Sequence, residues 1–257
     1  MTLADTDVEA PNAHLFLAPS QPAARPCEVP VPHLFAGTCS GCGACQTACA
    51  FNAILTLKDR VMVLPELCHG CGACVLVCEE QALGEKPRPI GTISTARSPS
   101  VPRDRMTLVW GTLDVGEARA VPLVEEVLRG ADAIDHPIQI VDAPPGTACT
   151  AVAAVDGADL VLLVTEPTPF GLHDLELAVE MCRALRLPVA AVINRADLGD
   201  RRVHALLERE GIPLLAEMPF STELAQTYAA GLLAGPRVPA LRRALDRIAW
   251  AVIERAD

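Results

Sequence analysis

The chain has 257 residues, of which 51% are hydrophobic, and this is enough for one large α/β domain or for a domain that carries a smaller module. Its net charge of −11 argues against nucleic-acid binding, because there is no excess of cations to neutralise phosphates. The apolar runs are too short to cross a bilayer, and no signal segment opens the sequence, so we expect a cytoplasmic protein without a membrane span. Eleven cysteines in that compartment indicate metal binding rather than disulfides.

The first segment, LADTDVEAPN, has the pattern of a buried strand that runs into a loop with the carboxylates Asp5, Asp7 and Glu9. Carboxylates at the C-terminal end of a parallel strand usually face a metal, a phosphate or a reacting water. The Pro-rich stretch 23–32 that follows is predicted to be a loop, and a second loop is predicted at 96–105. We therefore expect the cysteine-rich block between these loops to be an inserted module.

Eight of the cysteines form two copies of the pattern C-x2-C-x2-C-x3-C, one starting at Cys39 and the other at Cys68. In such a pattern the first three thiolates of a run ligate one [4Fe-4S] cluster and the fourth ligates the other cluster. We predict one cluster on Cys39, Cys42, Cys45 and Cys78, and a second on Cys68, Cys71, Cys74 and Cys49.

Structural zinc is the alternative, but a zinc site needs two cysteine pairs separated by a spacer and leaves the third and fourth cysteine of each run without a metal. Ala50 and Glu79 replace the proline that follows the fourth cysteine in two-cluster ferredoxins, and this removes no ligand. His69 is expected to be a solvated neighbour of the second cluster. Buried positions are predicted for Cys149 and Cys182, and Cys27 has no predicted role.

Beyond residue 86, apolar runs alternate with amphipathic stretches. Strands are predicted at 106–111, 137–142, 159–165, 188–194 and 213–218. Helices are predicted around 171–186, with an apolar face of Leu172, Leu175, Val179 and Cys182, and at the C-terminal end, with Leu241, Leu245, Ile248 and Val252. Alternating strands and helices predict an α/β fold with a doubly wound, mostly parallel sheet.

Polar residues follow two of these strands. Asp142 closes PIQIVD, where an aspartate can hold magnesium through water, and the amide of the nearby Gly146 can approach a γ-phosphate. Asn194 and Asp197 follow PVAAVIN, where they can contact a nucleotide base. Each group taken singly is equally well explained as a turn or a helix cap. Their order along the chain favours a nucleotide site.

Taken together, these residues resemble a known family. The chain is similar to MinD/ParA-type P-loop ATPases, here with an inserted two-cluster ferredoxin domain, a class related to the nitrogenase iron protein. The matching stretches are LADTDVEAPNAHLFL, the cysteine block, VDAPPGTACTAV, GADLVLLVTEPTPFGLHDLELAVEMCRAL, VINRADLG and GIPLLAEMPF. The resemblance implies that Asp7 lies near the attacking water, that Asp142 supports magnesium and that Asn194 recognises adenine. It also implies a switch region with Asp5 and Asn12, and a homodimer.

One part of the family pattern is missing. Family members begin with a strand and a loop of the type K-G-G-x-G-K-T, whose amides and lysines hold the phosphates. The sequence contains no G-x4-G-K-[ST], and its two lysines, Lys58 and Lys86, have other neighbours. Either the sequence is incomplete, or the protein has lost ATPase activity and keeps the ferredoxin module on a reduced scaffold. We favour the first explanation, because deletion of a central strand exposes unpaired edges.

The expected organisation has three parts: residues 1–34 and 87–257 form the MinD-like domain, which lacks its P-loop unit, and residues 35–86 form the inserted ferredoxin domain. We expect an iron–sulfur protein with two [4Fe-4S] clusters that couples nucleotide state to electron transfer or iron–sulfur handling, and that is inactive as an ATPase without a P-loop. ATP and Mg²⁺ follow only from the resemblance. The alternatives are an electron-transfer module that works with a redox protein partner, and a scaffold that donates clusters.

Overall fold

The computed structural model describes residues 1–35, 39–58, 60–99 and 106–256. Its strands are β1 (Thr2–Asp5), β2 (Ala23–Leu34), β3 (Ile54–Leu57), β4 (Arg60–Val63), β5 (Leu83–Arg97), β6 (Thr107–Leu113), β7 (Gln139–Asp142), β8 (Val161–Thr165), β9 (Val189–Asn194) and β10 (Leu214–Met218). Its helices are α1 (Ala13–Leu17), α2 (Ala44–Ala48), α3 (Ala73–Leu76), α4 (Val121–Asp132), α5 (Cys149–Val155), α6 (Pro169–Ala184), α7 (Arg202–Glu210), α8 (Thr222–Ala229) and α9 (Pro239–Ala256).

The first sheet contains five strands in the order β2-β5-β6-β1-β7. Strand β1 is parallel to both of its neighbours, β6 and β7. Strand β5 is antiparallel to β2 and β6. Asp5 at the end of β1 is the register partner of Asp142 at the end of β7, so the two carboxylates predicted from separate segments lie at the same edge.

The second sheet contains three parallel strands in the order β10-β9-β8. Within the described residues, β7 pairs only with β1, and β8 pairs only with β9. The parallel strands therefore form two separate sheets, each with an unpaired edge. Apolar side chains are exposed on both edge strands, since Ile140 of β7 is 46% exposed and Val164 of β8 is 63% exposed.

The prediction of a loop at 23–32 is wrong, because this segment lies within β2 and pairs along its whole length with β5. Cys27, Val29 and Val31 are buried and alternate with exposed residues, as expected for a strand with one face on the core. Strand β2 lies at the edge of its sheet, where prolines are tolerated because the outer backbone groups need no partner. The prolines hid this alternation in the sequence.

The second predicted loop, 96–105, is also partly a strand, since β5 continues through Arg97. Its residues 100–105 lie outside the described part of the chain. The paired strands β2 and β5 extend beyond the end of β6 and lead into the cysteine block. The block is thus connected to the α/β body by a continuous antiparallel ribbon rather than by two loops.

Helix α4 packs on the first sheet. Its Leu123, Val124 and Val127 are fully buried beside Val109 of β6 and Val8. Two glycines allow this close approach: a Cβ added at Gly91 would lie 2.5 Å from the carbonyl oxygen of Thr112, and one at Gly111 would lie 2.6 Å from Val8. The helix therefore holds the segment after β1 against the sheet.

The predicted face of α6 is confirmed, since Leu175, Val179 and Cys182 are buried and Leu172 packs beside them. The helix begins where the Thr168 hydroxyl accepts a hydrogen bond from the Gly171 amide at 3.0 Å. In α9 the buried positions are Ala244 and Ile248, whereas Leu245 is 43% exposed, so the predicted face is wrong at that position. None of the described helices is both long and apolar enough to span a membrane.

Candidate iron–sulfur centre and carboxylate site

The cysteine block folds as two similar halves around the β3–β4 hairpin. Each half has two glycines with positive φ, Gly41 and Gly43 in one and Gly70 and Gly72 in the other. Such values favour glycine, and they allow each loop to curl before a short helix, α2 or α3, begins. The local fold therefore directs the cysteines of each loop towards one side.

The eight cysteines line two cavities. The first cavity is lined by Cys39, Cys42, Cys45 and Cys78. The second cavity is lined by Cys49, Cys68, Cys71 and Cys74. Each cavity therefore receives three cysteines from one run and the fourth cysteine of the other run.

Backbone amides donate hydrogen bonds to several of these sulfurs. The Ala53 amide donates to Cys49 Sγ at 3.3 Å, and the Ala82 amide donates to Cys78 Sγ at 3.2 Å. The Gly70 amide donates to Cys68 Sγ at 3.4 Å. Amide donors stabilise charged thiolates, so this donor set fits an iron–sulfur cluster in each cavity. No group of three or more His, Cys, Asp or Glu within the described residues converges on a single metal ion.

Burial raises the pKa of the thiols of Cys45 and Cys74, which are 7% and 8% exposed. Ligation by iron must therefore displace a proton that these thiols hold in the metal-free chain. Beside the second cavity, the ring of His69 stacks on Phe51 with their centroids 3.7 Å apart. The imidazole thus packs on an aromatic ring at the rim of the cavity.

The remaining cysteines have different surroundings. Cys27 is 1% exposed and packs in the core with Val8 and Ile90, which gives this residue a structural role. Cys182 is buried as predicted, and burial raises the pKa of both thiols. The prediction that Cys149 is buried is wrong, because it lies exposed at the start of α5.

A buried ion-pair group binds the backbone of Cys68, a residue that lines the second cavity. The Arg119 guanidinium donates to the carbonyl oxygen of Cys68, and its Nε donates to Glu117 Oε1 at 2.8 Å. Arg88 of β5 binds the other carboxylate oxygen of Glu117. Burial opposes ionisation of Glu117, but hydrogen bonds from Arg119 and Arg88 outweigh burial and lower its pKa to about 2. Sequence reasoning missed this group, because an Arg two residues after a Glu in a loop is not a recognisable motif.

Asp5, at the end of β1, organises the loop that follows. Its Oδ2 accepts hydrogen bonds from the amides of Asn12 and Ala13, both at 3.0 Å, and its Oδ1 accepts from the Asp7 amide at 3.3 Å. The carboxylate is 1% exposed, and its pKa is raised by burial against these hydrogen bonds. Asp5 therefore fixes the path of residues 6–12 and the start of α1.

Asp142 lies beside this loop. Its backbone oxygen accepts hydrogen bonds from the Thr6 amide at 2.9 Å and the Thr6 hydroxyl at 2.8 Å. Burial raises the pKa of the Asp142 carboxyl, and the charges of Asp5 and Asp7 raise it further. Gly146 follows in a left-handed conformation, with φ +87° and open space where a Cβ would be. The structure thus places Asp5, Asp7 and Asp142 near enough for their charges to interact, and we call these three residues the carboxylate site.

Asn194 and Asp197 lie on the second sheet, at and after the end of β9. The side-chain amide of Asn194 donates through Nδ2 to Glu166 Oε1 at 3.4 Å. Asp197 Oδ1 accepts from the backbone amide of Phe220 at 2.6 Å. Among the described residues, no hydrogen bond or ion pair connects this pair with the carboxylate site. Sequence reasoning missed Glu166, although its place directly after the apolar strand β8 was a usable signal.

The class of protein is a MinD-like α/β fold that carries a ferredoxin-type iron–sulfur domain. Residues 38–83 match the family described as "4Fe-4S dicluster domain". The chain is similar in structure to the septum site-determining protein MinD of Pyrococcus horikoshii, with a TM-score of 0.53 and 15% identity, over 98% of this chain and 82% of that one. At that identity the likeness shows the fold alone.

The sequence comparison identifies the family. The chain is 31% identical over 208 residues, 78% of its length and 71% of the relative, to "Uncharacterized protein MJ0579" of Methanocaldococcus jannaschii, and it belongs to the family of that protein. A second protein of the same organism, "Uncharacterized protein MJ0578", is 29% identical over 93 residues, which are 36% of this chain and 34% of that protein.

Proposed function

We propose that this protein is an electron-transfer protein that holds two [4Fe-4S] clusters, one in each cysteine-lined cavity. The observation that carries the proposal is that four cysteines line each cavity, three from one run and one from the other. This is the arrangement in which the fourth cysteine of each run ligates the other cluster. The ligands are Cys39, Cys42, Cys45 and Cys78 for the first cluster and Cys49, Cys68, Cys71 and Cys74 for the second.

When bound, each cluster supplies a site for the gain and loss of one electron. The residues of the chain hold and insulate it. Amides of Ala53, Gly70 and Ala82 direct N–H groups at ligand sulfurs. Ile54 and Leu83 are buried with the cysteines in the core of the module and exclude water. A protein of this kind requires a redox partner that supplies or accepts electrons one at a time.

Anaerobic reconstitution with iron and sulfide tests this proposal. We expect about eight irons and about eight sulfides per chain. Cys49→Ala and Cys78→Ala each remove a ligand of the cluster attached to the other run, so each variant should lose about half of the iron. About four irons in the unmodified chain contradicts the two-cluster assignment. Rapid loss of iron to a chelator instead supports a scaffold that donates clusters.

We further propose that residues 1–257 contain only part of a nucleotide site. Asp7 and Asp142 would act on water and magnesium, Asp5, Asn12 and Gly146 would line the phosphate side, and Asn194 and Asp197 would contact the base. Two observations support an unfinished site: the sequence contains no G-x4-G-K-[ST], and the two groups of residues lie on separate sheets, whose strands β7 and β8 each pair on one side only within the described residues.

An ATPase assay tests this second proposal. Residues 1–257 with both clusters should show no ATP hydrolysis above background, because no loop holds the phosphates. Asp142→Ala should therefore leave the background rate unchanged. ATP hydrolysis that Asp142→Ala abolishes would show that the phosphates are held by another part of these residues.

A further inference from the structure

The two cysteine runs are repeats in sequence, but their charged surroundings differ. Cys39 and Cys68 occupy the same position in the two runs. Beside Cys39, the Ser40 amide donates to the Glu80 carboxylate at 2.8 Å. At Cys68, the backbone carbonyl accepts from the guanidinium of Arg119. At this position the backbone of the first run binds the carboxylate of Glu80, whereas the backbone of the second run binds the guanidinium of Arg119.

The other charged residues that line the cavities also make the first cavity more negative than the second. Glu79 and Glu80 both line the first cavity, and both are exposed. The second cavity is lined by one exposed carboxylate, Glu85, together with His69. The first cavity thus has two nearby carboxylates, whereas the second has one.

Arg119 belongs to a group that carries net positive charge, because two guanidinium groups, those of Arg88 and Arg119, share the single carboxylate of Glu117. The Arg119 and Glu117 side chains are only 8% and 5% exposed. Charges at such depth are screened by solvent and salt much less than the exposed carboxylates around the cavities. The buried group therefore dominates the electrostatic difference between the two cavities.

We propose that Arg119 is a positioning residue that raises the reduction potential of the cluster in the second cavity above that of the cluster in the first. This inference rests on the proposed function, since it requires both clusters. Reduction adds negative charge to a cluster, so a buried cation stabilises the reduced form, and carboxylates such as Glu80 destabilise it.

The consequence is a direction for electron transfer within the chain. With both clusters bound, this difference in potential would favour the transfer of one electron from the first cluster to the second; such a step makes and breaks no bond and moves no proton. The second cavity is the one that touches the α/β body. The loop with Glu117 and Arg119 follows β6, and the amide of Leu113 at the end of β6 donates to the Val8 carbonyl at 2.9 Å. The second cavity is therefore linked, through Cys68 and Arg119, to the loop that follows β6.

A redox titration of the chain with both clusters, followed by electron paramagnetic resonance, tests this proposal. We expect two separate reduction steps in the unmodified chain. Arg119→Gln should shift the higher-potential step to more negative values and leave the lower step in place. Arg119→Lys, which keeps the charge, should restore most of the original potential. Glu80→Gln should shift only the lower step, to less negative values and by a smaller amount that decreases with added salt.

Glu117→Gln separates electrostatics from structural damage, because it removes the carboxylate that offsets the two guanidinium groups and should shift the higher step to less negative values. Loss of packing would move that step in the same direction in Glu117→Gln and Arg119→Gln, and such a result overturns the proposal. Unchanged potentials in Arg119→Gln also overturn it. Arg25→Gln, at the exposed pair with Glu126, is the control and should change neither step.

If Arg119→Gln loses its clusters, Glu117→Gln decides alone, and the absence of its upward shift overturns the proposal. Iron counting distinguishes a failure of the proposed two-cluster function from a failure of the role proposed for Arg119. A chain with about four irons contradicts both the proposed function and this inference. A chain with about eight irons and equal responses of both steps to Arg119→Gln contradicts only the role of Arg119.

Discussion

The three cysteines outside the two runs make it possible to test whether the other eight are bound to iron, by counting the thiols that react. The thiols of Cys27 and Cys182 are buried with raised pKa values, whereas Cys149 is exposed. We therefore expect a chain loaded with iron and sulfide to react quickly with about one equivalent of a thiol reagent such as 5,5′-dithiobis(2-nitrobenzoate), because reactivity requires access and thiolate character. Cys149→Ser should remove this reaction. Several fast thiols in the loaded chain would contradict ligation by all eight cysteines.

Asp142 is a second residue with a measurable signature, since burial and the charges of Asp5 and Asp7 raise its pKa above the ordinary value of 3.8. A raised carboxyl pKa favours the neutral form in the folded chain, so its stabilising contribution is present below pH 3.8 and is lost as the pH rises through the folded pKa. Asp142 as a whole is solvent-exposed although its carboxyl is partly desolvated, so solvent screens the repulsion from Asp5 and Asp7. Asp142→Asn should therefore increase the free energy of unfolding near neutral pH only slightly, by less than about 1 kcal/mol.

Urea unfolding at several pH values measures this effect. The difference between Asp142→Asn and the unmodified chain should shrink as the pH falls and the aspartate is protonated. Asp174→Asn, at an exposed position of α6, is the matched control and should change stability little at any pH. A destabilised Asp142→Asn variant would mean that the carboxylate supports the fold rather than a cation.

At the scale of the elements, helix α4 packs closely on β6 beside Val8, which follows β1. A Cβ at Gly111 would lie 2.6 Å from Val8 and 3.0 Å from both Leu123 and Val127, all of them buried. Gly111→Ala should therefore destabilise the chain by about 1–3 kcal/mol through overpacking. Gly130→Ala, within α4 and 3.4 Å from Val109, should instead stabilise it by about 0.5 kcal/mol, because alanine favours the helix. Thermal unfolding compares the two variants, and equal effects would contradict this packing.

The same elements show which parts of the fold could be predicted from sequence. The strands β6 to β10 were predictable because each contains a short apolar run, and the repeated cysteine spacing predicted the module. Strand β2 was not predictable, since its alternation of Cys27, Val29 and Val31 is interrupted by prolines that are tolerated only because β2 lies at a sheet edge, a fact of topology. The Arg119–Glu117 group was missed for a similar reason, because its contact with Cys68 spans distant parts of the chain.

For the whole molecule, the division into two sheets is the feature that most affects function. The carboxylate site lies on β1 and β7, and the Asn194 and Asp197 group follows β9. Continuous parallel sheets hold such groups in a fixed relation at one edge. Here β7 and β8 each have an unpaired side within the described residues. The distance and orientation between the carboxylate site and the Asn194 and Asp197 group therefore depend on what pairs with these two edge strands.

The unpaired sides lead to a prediction for single backbone amides. In β7 the carbonyls of Ile138 and Asp142 accept hydrogen bonds from β1, so the alternate residues Gln139 and Val141 direct their amides to the open side. In β8 the Val161 amide donates to the Pro188 carbonyl beside β9, which leaves the amides of Leu162 and Val164 facing outward. Hydrogen exchange measured by nuclear magnetic resonance should be fast at these four amides and slow at Ile140 and Leu163, because exchange follows the opening of hydrogen bonds.

The comparison is made within each strand, between neighbouring residues whose amides point in opposite directions. Equal protection of these four amides and their neighbours in a monomeric sample would mean that the two sheets are joined. The carboxylate site and the Asn194 and Asp197 group would then be held in a fixed relation. If the protection of the four amides rises with protein concentration, copies of the chain pair through these edges. Fast exchange that persists at all concentrations would show that both edges stay unpaired in residues 1–257, and a polypeptide that restores protection at both strands at once would pair with these edges.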